Sequence, residues 1–459
     1  MPIPSGYGIV RRTICRFLTG EHLVTKARRE RRRRVGKQLA GLLALILATG
    51  LSHAAPLRAG AVRVDITPQD LTSLNPMGGS FAAVHDPLFL RALLLDNGRS
   101  SVALVSVDLI EVGNTDAVRT RIARELGIPA DHVLITATHD HSAPRLGQVT
   151  PGALAHEGGA ESAAYTAWVY DKMVAALAQA KAVLRPARFG SGRGQVDVNV
   201  NRDSYGARGW EIGYAPDAPS DKTLRVIKVE ALDGTPLAVL LNYGVHATVT
   251  LGSNEVSGDL SGVAEHYVED SLGQGVVALW TPAALGDQAP RISRPRGADA
   301  RQANRAAFRA MDAQGLLVGA EAVRVAAAIG TMRSDIYLGA SQRLIACPAK
   351  QGLHLMADMK QQSVDTVPLQ LSLILIDRVA LAGVSGEVLT ALGARLYAAS
   401  PLTDTFLVSI ANDRIGYLPP DAAYELALFE VNGSPVARGC AEDAIVNGMS
   451  AMIREGLQY

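Results

Sequence analysis

The chain has 459 residues, 48% of them hydrophobic, and a formal charge of +1 at neutral pH. Such a chain can bury a large core, and its balanced charge gives neither the cationic surface that nucleic acid requires nor the composition of a disordered segment. Charge is nonetheless concentrated at the start, where "KARRERRRRVGK" (Lys26 to Lys37) precedes the apolar run "LAGLLALILATGL" (Leu39 to Leu51). That run is shorter than the roughly 18 apolar residues of a spanning helix, and small residues follow at Ser52 and Ala54. Residues 1–54 are therefore expected to be a cleavable signal peptide with a basic n-region, and the mature protein to be secreted or periplasmic; a signal anchor is the alternative.

In chain order, "AGAVRVDIT" (Ala59 to Thr67) alternates like a strand, and "RALLLDNGRSSVALVSVDL" (Arg91 to Leu109) reads as a hairpin turning at Asn97-Gly98. Thr115 to Ile128 has helical periodicity, capped by Asn114 or Thr115 and stopped by Gly127, and His132 to Thr138 is the next strand. Strand, helix and strand at that spacing make a βαβ unit. Helices at Ala163–Leu184, Gly262–Leu272, Arg301–Ala328 and Val388–Ala398 then alternate with strands at Leu224–Ala231, Leu237–Tyr243, Gly275–Trp280 and within Leu369–Leu381. The expected fold is α/β, a mixed β-sheet layered with helices in a single large catalytic domain over residues 55–459. In such folds ligands gather beyond the carboxyl ends of the strands.

Several strands deliver polar residues to that edge. "LITATHDHSAP" ends in His139-Asp140-His141, "LLNYGVHATVT" brings His246, "VALAGVSGEV" brings Glu387, and "LVSIANDRIGYLPP" brings Tyr417. Each has an ordinary reading: paired histidines are often hydrogen-bonded caps, Glu387 suits a helix N-terminus, and Tyr417 suits core packing. Asp108, at a strand end, either orients a histidine or forms a turn, and Asp259 either serves the site or caps a helix. Cys347 and Cys440 form one disulfide or stay as two buried thiols; too few cysteines exist for a thiolate cage, so a metal would use nitrogen and oxygen ligands.

Taken together, the motifs resemble those of the neutral ceramidases. The resemblance rests on Thr138-His139-Asp140-His141-Ser142-Ala143-Pro144, Val245-His246-Ala247-Thr248 with Ser257-Gly258-Asp259, Gly286-Asp287-Gln288-Ala289-Pro290, Gly386-Glu387 and Asn201-Arg202, in family order. It implies a Zn2+ held by His139, His246, Glu387 and Tyr417, with His141 as the acid/base imidazole and Arg202 touching the substrate. The activity implied is hydrolysis of an amide bond by metal-activated water, on N-acylsphingosine or a related N-acyl lipid. Two positions depart from the family: Ala289 replaces a serine, which excludes a hydroxyl nucleophile there, and Phe429 replaces a substrate-facing tyrosine. No C-terminal immunoglobulin-like domain of the family's kind is expected in this chain, which leaves peripheral membrane contact open. An amidase or esterase on smaller polar substrates, or a non-catalytic exported binding protein, are the alternative readings.

Overall fold

A computed structural model describes residues 56–147, 160–273, 275–350 and 363–458. The chain divides into two units, residues 1–53 and 54–459; the expected signal peptide lies outside the described residues. Eight strands form the larger sheet: β1 (Arg58–Asp65), β2 (Phe89–Asp96), β3 (Ser101–Val107), β4 (Val133–Ala137), β5 (Arg185–Gln195), β6 (Thr223–Ala231), β7 (Pro236–Tyr243) and β8 (Val277–Pro282). Their order is β8-β7-β6-β5-β1-β2-β3-β4, antiparallel except for the pairs β3–β4 and β7–β8. A smaller sheet follows in sequence order: β9 (Leu338–Pro348), β10 (Thr366–Ile376), β11 (Val379–Val384) and β12 (Asp404–Val408), with β11 and β12 parallel.

The helices are α1 (Asp116–Leu126), α2 (Ala160–Ala182), α3 (Asp259–Leu272), α4 (Ala300–Ala328) and α5 (Thr390–Ala399). Helices α1 to α4 cover one face of the larger sheet, and its other face packs directly on the smaller sheet. The far face of the smaller sheet carries α5 and the C-terminal helical turns. This four-layer order explains the unbroken apolar runs. In β2, Leu90, Ala92 and Leu94 point to the helices, while Leu93 and Leu95 point to the second sheet. Both faces of the strand are dry, and each buried leucine contributes roughly 1.5–3 kcal/mol relative to exposure.

The β3–α1–β4 unit is as expected, with Gly127 closing α1 in the left-handed region at φ 70°. Thr115 stands at the N-cap without capping the helix through its side chain, because its hydroxyl donates to Asn412 O at 2.7 Å, while Asn114 Oδ1 accepts from Asp116 N at 2.9 Å. The mixed β-sheet layered with helices that the sequence predicted is present, but its strands divide between the larger and the smaller sheet, with three sheets of two or three strands beside them among the described residues; β5 and β9 had no strand signal. In β5 Gly192 and Gly194 face α4 and Gly190 faces the segment just after it, and a Cβ at Gly194 would stand 2.0 Å from Glu321 Oε1. The glycines that weaken a strand signal are there so that α4 can lie close to the sheet. Cys347, in β9, is joined to Cys440 by a disulfide. Among the described residues no helix is long and apolar enough to cross a membrane.

Candidate metal centre

Three parallel pairs of strands, β3–β4, β7–β8 and β11–β12, send their carboxyl ends toward one place, and the side chains expected at the rim meet there. β4 stops at Ala137, and His139 takes a left-handed backbone at φ 64°. An ordinary side chain in that region costs of order 1–3 kcal/mol and persists only where its surroundings enforce it. The two histidines of His-Asp-His therefore converge through a reversal of the chain, not through the strand alternation that the sequence suggested. Asp140 forms a parallel bridge with Ala247, and His141 N donates to Ala247 O at 3.1 Å, which fastens this loop to the one carrying His246. Glu387 does not begin a helix: it lies in a two-residue strand paired in register with Tyr417, and α5 starts three residues later. Gly286 and Gly386 are needed because the loop backbones touch. A Cβ would stand 2.8 Å from Glu387 O at the first and 2.9 Å from Gly416 O at the second.

Tautomers decide what the cluster can do. His139 Nδ1 lies 2.7 Å from Ile110 O, and His246 Nδ1 lies 2.9 Å from Leu285 O and from Gln288 O. A carbonyl can only accept, so both Nδ1 atoms carry the proton and both Nε2 atoms present lone pairs. Each Nε2 is 3.3 Å from Glu387 Oε2, a buried oxygen that receives no hydrogen bond. Lone pairs facing one another among buried side chains repel, and a cation at their centre reverses the sign. The spacing fits: ligand atoms about 2.1 Å from a tetrahedral ion stand about 3.4 Å apart. His141 Nε2 is 3.3 Å from His139 Nε2, and the three imidazoles offer nitrogens within 4.8 Å of one another, so they can hold a metal ion.

The electrostatics keep these donors in their metal-binding forms. Burial, helped by Arg202, pushes His246 down to about 3; burial and the other two imidazoles hold His141 well below the usual histidine range. Burial alone would raise Glu387, yet His139 and Arg414 outweigh it and keep the carboxyl well below its ordinary value. Neutral imidazoles and an ionised carboxylate are what a metal requires.

Arg414 is the site residue that the sequence reading missed. Its Nε and Nη2 donate to Glu387 Oε1 at 3.0 and 2.8 Å, leaving Oε2 turned to the histidines. The available signal was a cation three residues before Tyr417, following Asn412 and Asp413 at the strand exit. Arg202 donates from Nε to Glu430 Oε1 at 2.7 Å and from Nη2 to the Tyr417 hydroxyl at 3.2 Å, with Nη1 3.2 Å from His246 Nε2. Asp108 orients no histidine. It pairs with Arg91 at 2.8 Å and accepts from Phe89 N, while the Ile110 carbonyl orients His139. Asp259 binds Thr250 N at 2.9 Å and its hydroxyl at 2.7 Å, tying the start of α3 to the loop after His246. Asp287 braces the first turn of α5 through Thr390 and holds Asn201.

Above the donors opens a cavity of about 550 Å³, lined by His139, His141, His246, Arg202 and Tyr417 at the chemistry and by apolar side chains such as Ile110 and Leu251. Residues 75–315, more than half of the chain, match the family described as neutral/alkaline non-lysosomal ceramidase, N-terminal. The chain belongs to that family. Among curated proteins it is similar to neutral ceramidase A of Dictyostelium discoideum, 31% identical over 154 residues, and to neutral ceramidase B of the same organism, 27% identical over 176 residues. These alignments span 30% and 36% of this chain but only 20% and 24% of the relatives' lengths. Among solved structures, the neutral ceramidase of Pseudomonas aeruginosa superposes with a TM-score of 0.69 at 18% identity, over 87% of this chain and 75% of that one. A second, described as ceramidase complexed with C2, gives 0.68 at 17% identity over 87% and 76%. Those likenesses show the ceramidase fold. The two departures from the family pattern, Ala289 and Phe429, both line the cavity, and Phe429 stands edge-on to Tyr417 with ring centroids 5.8 Å apart.

Proposed function

We propose that this protein is an exported zinc-dependent hydrolase of amide bonds in N-acylated lipids, ceramide or a related N-acyl compound. Its support is family membership together with one geometric fact: two imidazole lone pairs and an undonated carboxylate oxygen meet at 3.3 Å in a buried pocket. In this reading His139, His246, Glu387 and Tyr417 hold the ion. A bound zinc supplies a Lewis acid for the amide carbonyl and lowers the pKa of a coordinated water toward about 7.

The chain's own groups do the rest. His141, kept neutral by burial and by its two histidine neighbours, can take up a proton at Nε2 and return it to the leaving amine. Arg202, anchored by Glu430, faces the same cavity and supplies donors to developing negative charge. With Ala289 in the Gly-Asp loop, no side-chain hydroxyl at that position competes as nucleophile. The leader sequence and the Cys347–Cys440 disulfide favour an oxidising, extracytoplasmic compartment.

The test is hydrolysis of a short-chain and a long-chain ceramide by purified protein before and after chelation. Activity that falls at least about 100-fold on metal removal and returns with one equivalent of zinc supports the reading. Cleavage that ignores the chelator sinks the metal mechanism, and no cleavage of either ceramide sinks the substrate.

A further inference from the structure

The charge of the cavity is lopsided. Arg145, Arg202, Arg294, Arg296 and Arg414 line it against one carboxylate, Glu111. Three of the five are already engaged: Arg202 with Glu430, Arg414 with Glu387 and Glu111, and Arg145 with Glu111 at 3.5 Å. Arg294 and Arg296 are different, because neither forms an ion pair among the described residues. Arg294 donates from Nε to the neutral amide oxygen of Asn304 at 2.8 Å, and its backbone N donates to Val249 O at 3.0 Å, three residues beyond His246. The loop that carries both arginines is thus fastened beside a metal-donor strand. Apart from the hydroxyls of Thr248, Ser293 and Tyr417, the rest of the wall is mainly apolar, with Met77, Ile212, Leu251 and Phe429.

A neutral amphiphile filling this cavity would cover Arg294 and leave its charge without a partner, whereas an amphiphile with an anion would neutralise it in a bidentate contact. Phe429 adds to the contrast, since it supplies no hydroxyl for a neutral polar headgroup. We propose that the preferred substrate is an N-acyl amide bearing an anionic group, a carboxylate or sulfonate, held by Arg294 and Arg296 with the acyl chain along the apolar wall. This rests on the amide-hydrolase reading above. Water adds its oxygen to the acyl carbon, the C–N bond breaks, and the proton goes to the departing amine, so the products are a fatty acid and an anionic amine.

Three amides of one acyl chain test it: N-dodecanoylglycine, N-dodecanoyltaurine and the neutral N-dodecanoylethanolamine, with the zinc-loaded full chain and its Arg294→Gln/Arg296→Gln variant. An anionic amide is expected to exceed the neutral one by about 10-fold or more in kcat/KM, mainly through KM, and the ratio is expected to approach one in the variant or at high salt. Calorimetric binding of N-dodecanoylglycine to metal-free protein, about 10-fold weaker in the variant, gives a second readout. Arg296→Gln alone, at an exposed position, replaces the double variant if that does not fold. Should no amide be cleaved while this binding difference holds, the hydrolase reading fails and anion selection stands. Equal kcat/KM for all three amides in the wild type, a ratio that survives in the variant, or binding indifferent to the substitution overturns the proposal.

Discussion

Glu387→Gln is expected to abolish zinc retention and to lower amide hydrolysis by well over 100-fold while leaving the fold intact. The bound comes from comparison: losing a group that merely orients a ligand costs about 10–100-fold in metal affinity or activity, so losing a ligand costs more. The fold survives because the amide can keep its oxygen toward Arg414, which now donates to Oε1, and turn its NH2 toward the lone pairs of His139 and His246. Donors then face acceptors without any ion. Zinc at 100 times its dissociation constant stabilises a protein by about 2.7 kcal/mol, and this increment is expected in the wild type and missing in the variant. His141→Ala separates the proposed roles: if His141 moves protons, the variant keeps its zinc and loses about 10²–10⁴ in turnover. A His141→Ala protein that loses zinc instead makes that imidazole a ligand, an arrangement that its 3.3 Å approach to His139 also permits.

Arg91→Met is expected to give the largest loss of stability, about 3–5 kcal/mol at neutral pH, although Arg91 touches no substrate. Its fully buried guanidinium lies 2.8 Å from Asp108, 2.7 Å from Glu265 and 3.1 Å from Glu269. Burial disfavours the charge, but the three carboxylates outweigh it and hold Arg91 well above its ordinary value. Those acids have structural duties: Glu265 and Glu269 accept from Trp280 N and Ala278 N on the edge strand β8, and Asp108 accepts from Phe89 N. Two residues beyond Asp108 stands Ile110, whose carbonyl fixes the His139 tautomer, so the charge cluster also supports the histidine cluster. Burial already raises Glu265 well above its usual value against the pull of Arg91. In the variant Glu265 loses the pull of Arg91 and rises further above its unfolded value, so the folded state binds the extra proton and the deficit grows as pH rises above about 4–5. Urea unfolding at pH 5 and pH 8 checks both claims. A loss below about 1 kcal/mol, or one that does not grow with pH, contradicts them.

The residues that were legible in the sequence share a cause. His139, His246 and the Glu387 and Tyr417 segments follow apolar runs, and an apolar run that ends in a polar residue marks a strand exit. Arg414 was hidden because its value comes from Glu387, a distant partner that no local pattern announces. The His139 reversal was hidden because a histidine gives no sign of a left-handed backbone, and the Ile110 carbonyl was hidden because any residue supplies one. Helix ends were legible from Gly127, but not the strand β5, where glycines serve close packing by α4 and read locally as a loop. The stacking of the larger sheet on the smaller was missed through those omissions: without β5 and β9, the unbroken apolar strands fit a single sheet between helices as well as a sheet stacked on another.

The central claim is that His139, His246 and Glu387 surround one divalent cation. Anomalous diffraction at the zinc edge, from crystals grown with stoichiometric zinc, tests it directly. The account predicts one strong peak about 2.0–2.2 Å from His139 Nε2, His246 Nε2 and Glu387 Oε2. A peak elsewhere, or none between those three atoms, would contradict it.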